Sequence, residues 1–513
     1  MKKNQFYVTT PIYYVNDVPH IGHAYTTIAA DTIARYKAAS GHEVYFLTGT
    51  DEHGRKIEQT AEANGETPIE LADKVVVKFQ DLWKLLGISN TDFIRTTEPR
   101  HCEAVSEIWK LVEKNGDIYL DEYEGWYDVR NEAFITETQL EEIMKLPEES
   151  RPRLEKIKEQ SYFFRLSRYQ EPLLRHYSEH PEFIKPGYRR NEIVSFVEGG
   201  LRDLSVSRTN FSWGIPVPGP EGHVVYVWFD ALTNYLTSLG FPGKTGDFER
   251  FWPADIHLVG KDILRFHAVY WPAFLMSAGL PLPKTVFAHG WWTVEGEKMS
   301  KSLGNVVDPY QVVEEFGSEI FRYFLLREIP FGQDGDYSKR SLVNRVNGEL
   351  VNGLGNLVSR SLGMIERYLG GIVPEPAEFT EREKEIEDSY RETDRLVRSD
   401  LEELAFNRAL SRIWEFIGLV NRYVDSEAPW KLAKQEGKEK RLGIVLWTLA
   451  ESIRVISILI YPFLPETSLG IRGKIGLPAD AGVENAEWGY TKPGTSVVKG
   501  DNLFPRIKEE ENR

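Results

Sequence analysis

An alternation of short apolar runs with helical stretches restricts the fold of this chain more than any other feature. Strand-like runs at residues 6–10, 44–48, 256–259 and 285–288 are separated by helical patterns such as 24–39. Strands divided by helices predict a Rossmann-like α/β domain with a doubly wound parallel sheet, and ligands are then expected beyond the strand C-termini. Between about 116 and 205 the pattern breaks into short strands, charged turns and aromatics, among them Tyr123, Trp126 and Tyr127. This predicts a small inserted domain that splits the sheet into halves at 1–115 and 206–325. A connecting segment, 326–342, follows. Beyond it the strand signals stop, and 343–513 reads as an all-α domain, helical to about residue 469, ending in a Gly/Pro-rich tail. Val343, Val346, Leu350, Val351, Leu354, Leu357, Val358, Leu362 and Ile365 fall on one stripe at 3.6-residue spacing, the mark of a packed helix.

Composition excludes several classes. The 513 residues are enough for roughly three domains. With a single cysteine, Cys102, there is no intrachain disulfide and no four-cysteine metal site, which fits a reducing, cytoplasmic setting. Lys2 and Lys3 have no apolar core behind them, so no signal peptide is expected. The longest strongly apolar stretch, 455–464, is shorter than a bilayer requires and reads as a buried helix ending at Pro465. No membrane association is expected. A formal charge of -16 argues against non-specific nucleic-acid binding, which rests on phosphate neutralisation. It leaves selective binding through local basic strips open.

Two segments carry phosphate chemistry. His20-Ile21-Gly22-His23 lies where the first strand gives way to a helix, a natural anion site. Lys298-Met299-Ser300-Lys301-Ser302, between Gly296 and Gly304, puts two lysines three residues apart, flexible cations able to follow charge as it builds on a transferring phosphate. Taken singly, the histidines could simply cap a helix and the lysine segment could be an ordinary exposed loop.

Together, and on opposite sides of a domain-sized stretch, these segments resemble the signature pair of the class I aminoacyl-tRNA synthetases. Residues 10–16, 49–54 and 226–231, with Arg208, Gly260-Lys261-Asp262, Phe266-His267 and Trp271-Pro272-Ala273, resemble the methionyl-tRNA synthetase family over essentially the whole chain. The resemblance implies a ligase that forms methionyl-adenylate from methionine and ATP, with Mg2+ accompanying ATP, and then charges initiator and elongator methionine tRNA. It implies catalytic roles for His20, His23, Lys298 and Lys301. It implies ATP contacts at Asn16, His20, Gly22, His23, Arg208, Lys261, Asp262, Lys298 and Lys301. Asp51 would meet the substrate ammonium, and Ile12, Tyr14, Trp228, Ala231, Tyr235, His267 and Trp271 would line an apolar slot with aromatic edges for sulfur.

An insertion of roughly ninety residues is too short for the editing domain that accompanies the leucine, isoleucine and valine enzymes. One cysteine also excludes the zinc-dependent cysteine enzyme. In the C-terminal region Asn356, Arg360 and Trp430 resemble the family's anticodon-reading surface, where a ring stacks on a splayed base. Many relatives hold zinc in the insertion through cysteine pairs. Here Asp128 and Asn131 stand at the first pair, and 146–161 contains neither Cys nor His, so no structural zinc is expected. Tyr123, Trp126, Tyr127 and Phe134 are expected to pack the knuckle instead. Many relatives also continue past a segment like Leu503-Phe504-Pro505-Arg506-Ile507 into a dimerising domain, and a monomer without a stable protein partner is expected here. A non-catalytic tRNA-binding paralogue and an adenylyltransferase for a small metabolite are the competing readings, and amino-acid-dependent pyrophosphate exchange separates them.

Overall fold

Six strands run parallel in the spatial order Asp92–Arg95, Glu43–Asp51, Gln5–Tyr14, Ile256–Gly260, Val286–His289, Ile184–Lys185. This computed structural model describes residues 4–16, 18–128, 133–135, 137–219, 221–243, 246–298, 305–376, 378–478 and 486–508, with backbone alone for 123, 124, 127, 133, 134, 137–139, 149, 157–159 and 298. Helices cover both faces of the sheet, so the central strands are apolar without alternation; Phe6 through Pro11 are all buried. The two threonines inside that run satisfy their hydroxyls across the sheet: Thr9 Oγ1 meets His257 Nδ1 at 2.7 Å, and Thr10 Oγ1 donates to Thr48 Oγ1 at 2.8 Å.

The first strand continues to Tyr14, although the sequence suggests a turn after Thr10. Pro11 lacks the N–H that a ladder needs, and the chain resolves this with a bulge between Thr9 and Ile12. One extra residue reverses the inward and outward alternation of everything after it, which re-aims Ile12 and Tyr14 at the strand's C-terminal end. On the neighbouring strand, a Cβ at Gly49 would lie 2.1 Å from the Ile94 carbonyl oxygen, so only glycine allows that strand to approach. Chain order reverses between Gln5–Tyr14 and Ile256–Gly260, and the crevice beyond their C-termini is the topological switch point.

The expected insertion contains a four-stranded antiparallel sheet built on Ile118–Asp128 and Leu154–Phe164. It is not wholly separate from the parallel sheet. Ile184–Lys185, inside the 116–205 span, pairs in parallel with Val286–His289 and forms the sheet's edge. A two-residue strand has no periodicity to read. Of the knuckle, Asp128 is buried and Trp126 partly so. Asn131 and the side chains of Tyr123, Tyr127 and Phe134 lie outside the described residues.

Past the short strand Gly335–Tyr337 the chain is mainly helical as far as Lys474. The expected striped helix is Lys339–Arg345 and Asn356–Leu369 joined through a wider π-type stretch, Val346–Gly355. The stripe is buried except Val351, which the π stretch turns partly outward. Of residues 455–464, expected to form a helix ending at Pro465, 455–460 belong to Glu439–Ile460 and 461–464 lie between helices, and Pro465 opens the next helix at its first position, where a missing N–H costs nothing. Glu439–Ile460 is long and apolar enough to cross a membrane by length and composition, yet it is buried in the helical core. One hydrophobic cluster runs from Phe6 and Val8 through Phe324 to Leu410 and Val455, so sheet and helices share a core. Fully buried Arg322 bridges them: it donates to Asp31 at 2.7 Å and to the Phe463 carbonyl at 3.1 Å.

Candidate functional site

His20 is the N-cap of the helix Ile21–Ala39 rather than part of its first turn. Its Nδ1 accepts from the Gly22 N–H at 3.1 Å, while its own N–H donates to His23 Nδ1 at 3.2 Å, a capping box made of two histidines. With both Nδ1 atoms accepting, each ring carries its proton on Nε2. The rings stack with centroids 3.7 Å apart. Burial, and then the neighbouring His20, push the His23 imidazole well below the ordinary histidine value, so it is a neutral donor. A Cβ on Gly22 would sit 2.9 Å from His20 Cε1, so this geometry requires glycine there.

The chain just past the second motif is tied to the first through backbone. Ile21 N–H donates to the Val307 carbonyl at 3.3 Å, which ties the start of the histidine helix to the chain just past the lysine segment. Lys298 ends a short hairpin, paired opposite Thr293. Its side chain, and Lys301 with the rest of 299–304, lie outside the described residues.

Asp51 closes its strand at the sheet's C-terminal edge, opposite Tyr14, and is 8% exposed. The next two residues are locked in place. Arg95 and the hydroxyls of Thr50 and Thr97 all donate to the Glu52 carboxylate. His53 Nδ1 donates to Asp230 Oδ2 at 2.7 Å, and His101 Nε2 to Asp230 Oδ1 at 2.7 Å. Burial opposes the charge on Asp230, but His53 and His101 outweigh it and hold the carboxyl below its usual range. Asp230 shares the helix Val227–Leu232 with Trp228 and Ala231, so His53, two positions past Asp51, is tied to the helix that carries two of the residues nominated for the apolar slot.

In that slot Tyr235, His267 and Trp271 are each almost wholly buried, Ala231 is buried, and Ile12, Tyr14 and Trp228 are partly exposed. His267 Nδ1 lies 3.0 Å from the Ile263 carbonyl and must donate to it, which leaves Nε2 to accept from the Tyr235 hydroxyl at 2.7 Å. Burial pulls His267 down to about 4, so its tautomer is fixed and neutral. Trp228 stacks on Phe266 at 3.7 Å. Phe266–Tyr270 is a π-type turn running into the helix Trp271–Ala278, a local widening common at functional sites.

Three of the remaining nominated ATP residues already have protein partners. Lys261 Nζ bonds both oxygens of Asp334, at 2.8 and 2.6 Å, and lies 4.2 Å above the Trp291 ring. Asp262 Oδ1 accepts from Trp291 Nε1 at 3.0 Å. Arg208, 2% exposed, donates to Ser205 Oγ and the Ser207 carbonyl at 2.7 Å each and faces the Tyr226 ring. Asn16 lies in the turn after the first strand.

In the helical domain Arg360 is partly buried and paired. It donates to Asp425 at 2.7 Å and to the Asn421 carbonyl and Oδ1 at 2.8 Å, which cross-links Asn356–Leu369 to Phe406–Glu427. Asn356 is exposed and Trp430 is 38% exposed, unusual for a tryptophan.

Sequence reasoning passed over Asp230, His53, His101, Trp291 and Asp334. Asp230 and His53 lie inside segments quoted for their neighbours, so their signal was available. Nothing local marks His101 or Asp334.

The family model described as tRNA synthetases class I (M) matches residues 6–151 and 148–362, and that for the anticodon binding domain of methionyl tRNA ligase matches 373–513. The chain is 50% identical over 510 residues to the methionine–tRNA ligase of Caldanaerobacter subterraneus, covering 99% of this chain and 80% of that protein. It is 49% identical over 515 residues to that of Mesorhizobium japonicum, covering 99% of both. Among solved structures, Mycobacterium tuberculosis methionyl-tRNA synthetase in complex with methionyl-adenylate superimposes with a TM-score of 0.94 at 46% identity, covering 98% of this chain and all of that one. The apo form of that enzyme gives 0.89 at 43% identity, covering 99% of each chain.

Proposed function

The chain belongs to the methionine–tRNA ligase family of class I aminoacyl-tRNA synthetases, and from that premise we propose which of its residues do which part of the work. It is an enzyme that condenses methionine with ATP to methionyl-adenylate and pyrophosphate, then transfers the methionyl group to the 3′ end of methionine tRNA.

In our reading His20 and His23 donate through Nε2–H to phosphate oxygens, and the pair adds oriented hydrogen bonds in a site organised before substrate arrives. Gly22 lets the backbone approach, and Asn16 flanks the same pocket. Lys298 and Lys301 supply charge as pyrophosphate departs. Lys261 and Arg208 contact the triphosphate after exchanging Asp334 and the Ser205–Ser207 oxygens for it, and Asp262 completes the ATP contacts. Magnesium enters with ATP as part of that substrate. Asp51 holds the methionine ammonium. Ile12, Tyr14, Trp228, Ala231, Tyr235, His267 and Trp271 hold the thioether, and a neutral His267 keeps the slot free of charge. Transfer needs no protein nucleophile: a terminal ribose hydroxyl attacks the adenylate carbonyl and forms the ester, the bond from that carbonyl carbon to the phosphate oxygen breaks so that AMP leaves, and the hydroxyl proton passes to solvent. Asn356, Arg360 and Trp430 read the anticodon, Trp430 by stacking.

One observation carries this reading: a histidine capping box with its protons on Nε2 stands at the switch point of the sheet, with Asp51 ending the adjacent strand. Pyrophosphate exchange measured across the twenty amino acids tests it, and methionine alone should support exchange. Lys301→Ala should slow that exchange far more than it weakens methionine binding. A variant with weak binding and normal turnover would refute the role.

The insertion's donor chemistry does not fit zinc. The one cysteine, Cys102, lies in the helix Pro99–Lys114, outside the knuckle. We infer a knuckle held by packing. We also infer a cytoplasmic monomer serving initiator and elongator tRNAs. Support for the monomer comes from 503–507, which packs on its own chain: Phe504 is buried, and Asn347 and Ile507 exchange two hydrogen bonds.

A further inference from the structure

The hairpin that ends in Lys298 is built on an unfavourable turn. Trp292–Val294 and Glu297–Lys298 pair antiparallel with Val294 opposite Glu297, which leaves only Glu295 and Gly296 to reverse the chain. Their φ angles are 51° and 83°, the left-handed pair of a type I′ turn. Glycine takes that conformation freely, whereas a glutamate with its Cβ does not. An outside contact must hold the turn.

Asp336 provides it. Its Oδ1 accepts from the Gly296 N–H at 2.8 Å and from the Thr293 hydroxyl at 2.7 Å, so one carboxylate oxygen grips both the turn and the strand before it. Asp336 lies in Gly335–Tyr337, which pairs in parallel with Trp292–Val294, Asp336 opposite Thr293. The Tyr337 carbonyl also accepts from Glu295 N–H, at 3.3 Å. Two residues after Tyr337 the helix Lys339–Arg345 begins, so this clamp attaches the hairpin to the helical half of the molecule.

We propose that Asp336 is a positioning residue for adenylation: through the type I′ turn it fixes the backbone from which Lys298 departs, and it touches no substrate. The proposal rests on Lys298 acting on the departing pyrophosphate. Misplacing a group that stabilises a transition state by about 1 Å costs up to about 100-fold in rate. Asparagine keeps an Oδ1 acceptor in the same place and removes the charge, while alanine removes both. Hydrogen bonding and electrostatics are therefore separable at this position.

The test is methionine-dependent pyrophosphate exchange with wild type, Asp336→Ala, Asp336→Asn, Thr293→Val and Lys298→Ala. Asp336→Ala should lower kcat about 10-fold, with the methionine KM within about twofold of wild type. Asp336→Asn should stay within about twofold of wild type, and Thr293→Val should fall between. Equal damage from Asn and Ala, or a wild-type kcat in Asp336→Ala beside a slow Lys298→Ala, would overturn the positioning role alone. A wild-type rate in Lys298→Ala would overturn both this role and the reading of Lys298. Asp336 is exposed, so its variants are expected to fold. If Asp336→Ala does not melt cooperatively, Thr293→Val decides, and a wild-type kcat there refutes the proposal.

Discussion

Replacing Arg322 by methionine asks whether the sheet and the helical domain are held together through one buried charge. Asp31 lies midway along the helix that begins at the histidine cap and is wholly buried. Four donors converge on it: Arg35 Nε at 2.7 Å, Ser89 N–H at 2.8 Å, Ser89 Oγ at 2.6 Å and Arg322 Nη2 at 2.7 Å. The rest of the Arg322 guanidinium serves the Leu86 and Phe463 carbonyls at 3.2 and 3.1 Å, the second at the end of the helical core. Removing one member of a buried ion pair costs about 3–5 kcal/mol, and Arg35 remaining on Asp31 places this case near about 3. With an unfolding entropy of about 2.1 cal/mol/K per residue over the whole chain, that is a fall of about 3 °C in melting temperature. Calorimetry should show at least this fall, because if the chain unfolds in more than one step the unit containing Arg322 carries less entropy and shifts further. The pH dependence is a second reading. Burial alone would raise Asp31, but Arg322 and Arg35 lower it below the ordinary value. A depressed carboxyl adds stability that is present above the unfolded value, about 3.9, and is lost as pH falls through the folded value. Without Arg322 the acid loss should begin at higher pH. An Arg322→Met protein melting within about 1 °C of wild type, with an unchanged acid limb, would refute the bridge.

Trp430→Ala should cost about 1–3 kcal/mol in aminoacylation efficiency and leave pyrophosphate exchange intact; equal loss in both assays would make Trp430 a packing residue. Burial holds His23, His257, His267 and His289 below the ordinary histidine value, His267 at about 4. The unfolded chain takes up these protons near about pH 6.5 and the folded one does not, so stability is full above that pH and declines towards pH 4. The urea midpoint should therefore fall from pH 7 to 5, and less steeply in His267→Gln; a flat profile contradicts the assignment. Exhaustive chelation followed by excess magnesium should leave activity unchanged, and one tightly bound zinc per chain on elemental analysis would overturn the metal-free knuckle.

What the sequence made legible was whatever repeats or clusters locally. The parallel sheet was readable because four of its strands are apolar runs next to helical periodicity. Ile184–Lys185 was not, because two residues in an edge strand owe their place to Val286–His289, about a hundred positions away. The stripe from Val343 to Ile365 indicated a helix, but not that Val346–Gly355 would widen it, since the apolar spacing reads the same for an α- and a π-type turn over so short a stretch. In the site, residues nominated by resemblance were legible, and the partners that orient them were not. Asp230 joins His53 to His101, and Asp334 holds Lys261, through contacts spanning 177, 129 and 73 positions. No short-range pattern encodes such pairs.

The first motif also shows why a structural and a catalytic reading of one residue need not compete. Read blandly, His20 and His23 cap a helix, and they do cap it. Capping is what equips them for phosphate. Because each Nδ1 is committed to a backbone N–H, neither ring can take the other tautomer without losing that bond, so the Nε2 protons are set before ATP arrives. Burial then keeps His23 uncharged, which makes it an oriented dipole whose effect depends on direction more than on ionic strength. An asparagine at position 20 could cap the helix equally well, since Asn is among the best N-cap residues, yet it would bring no Nε2–H to the same place. His20→Asn should therefore retain the melting temperature and lose exchange activity. If activity survived with stability, the cap would be the whole of the residue's role.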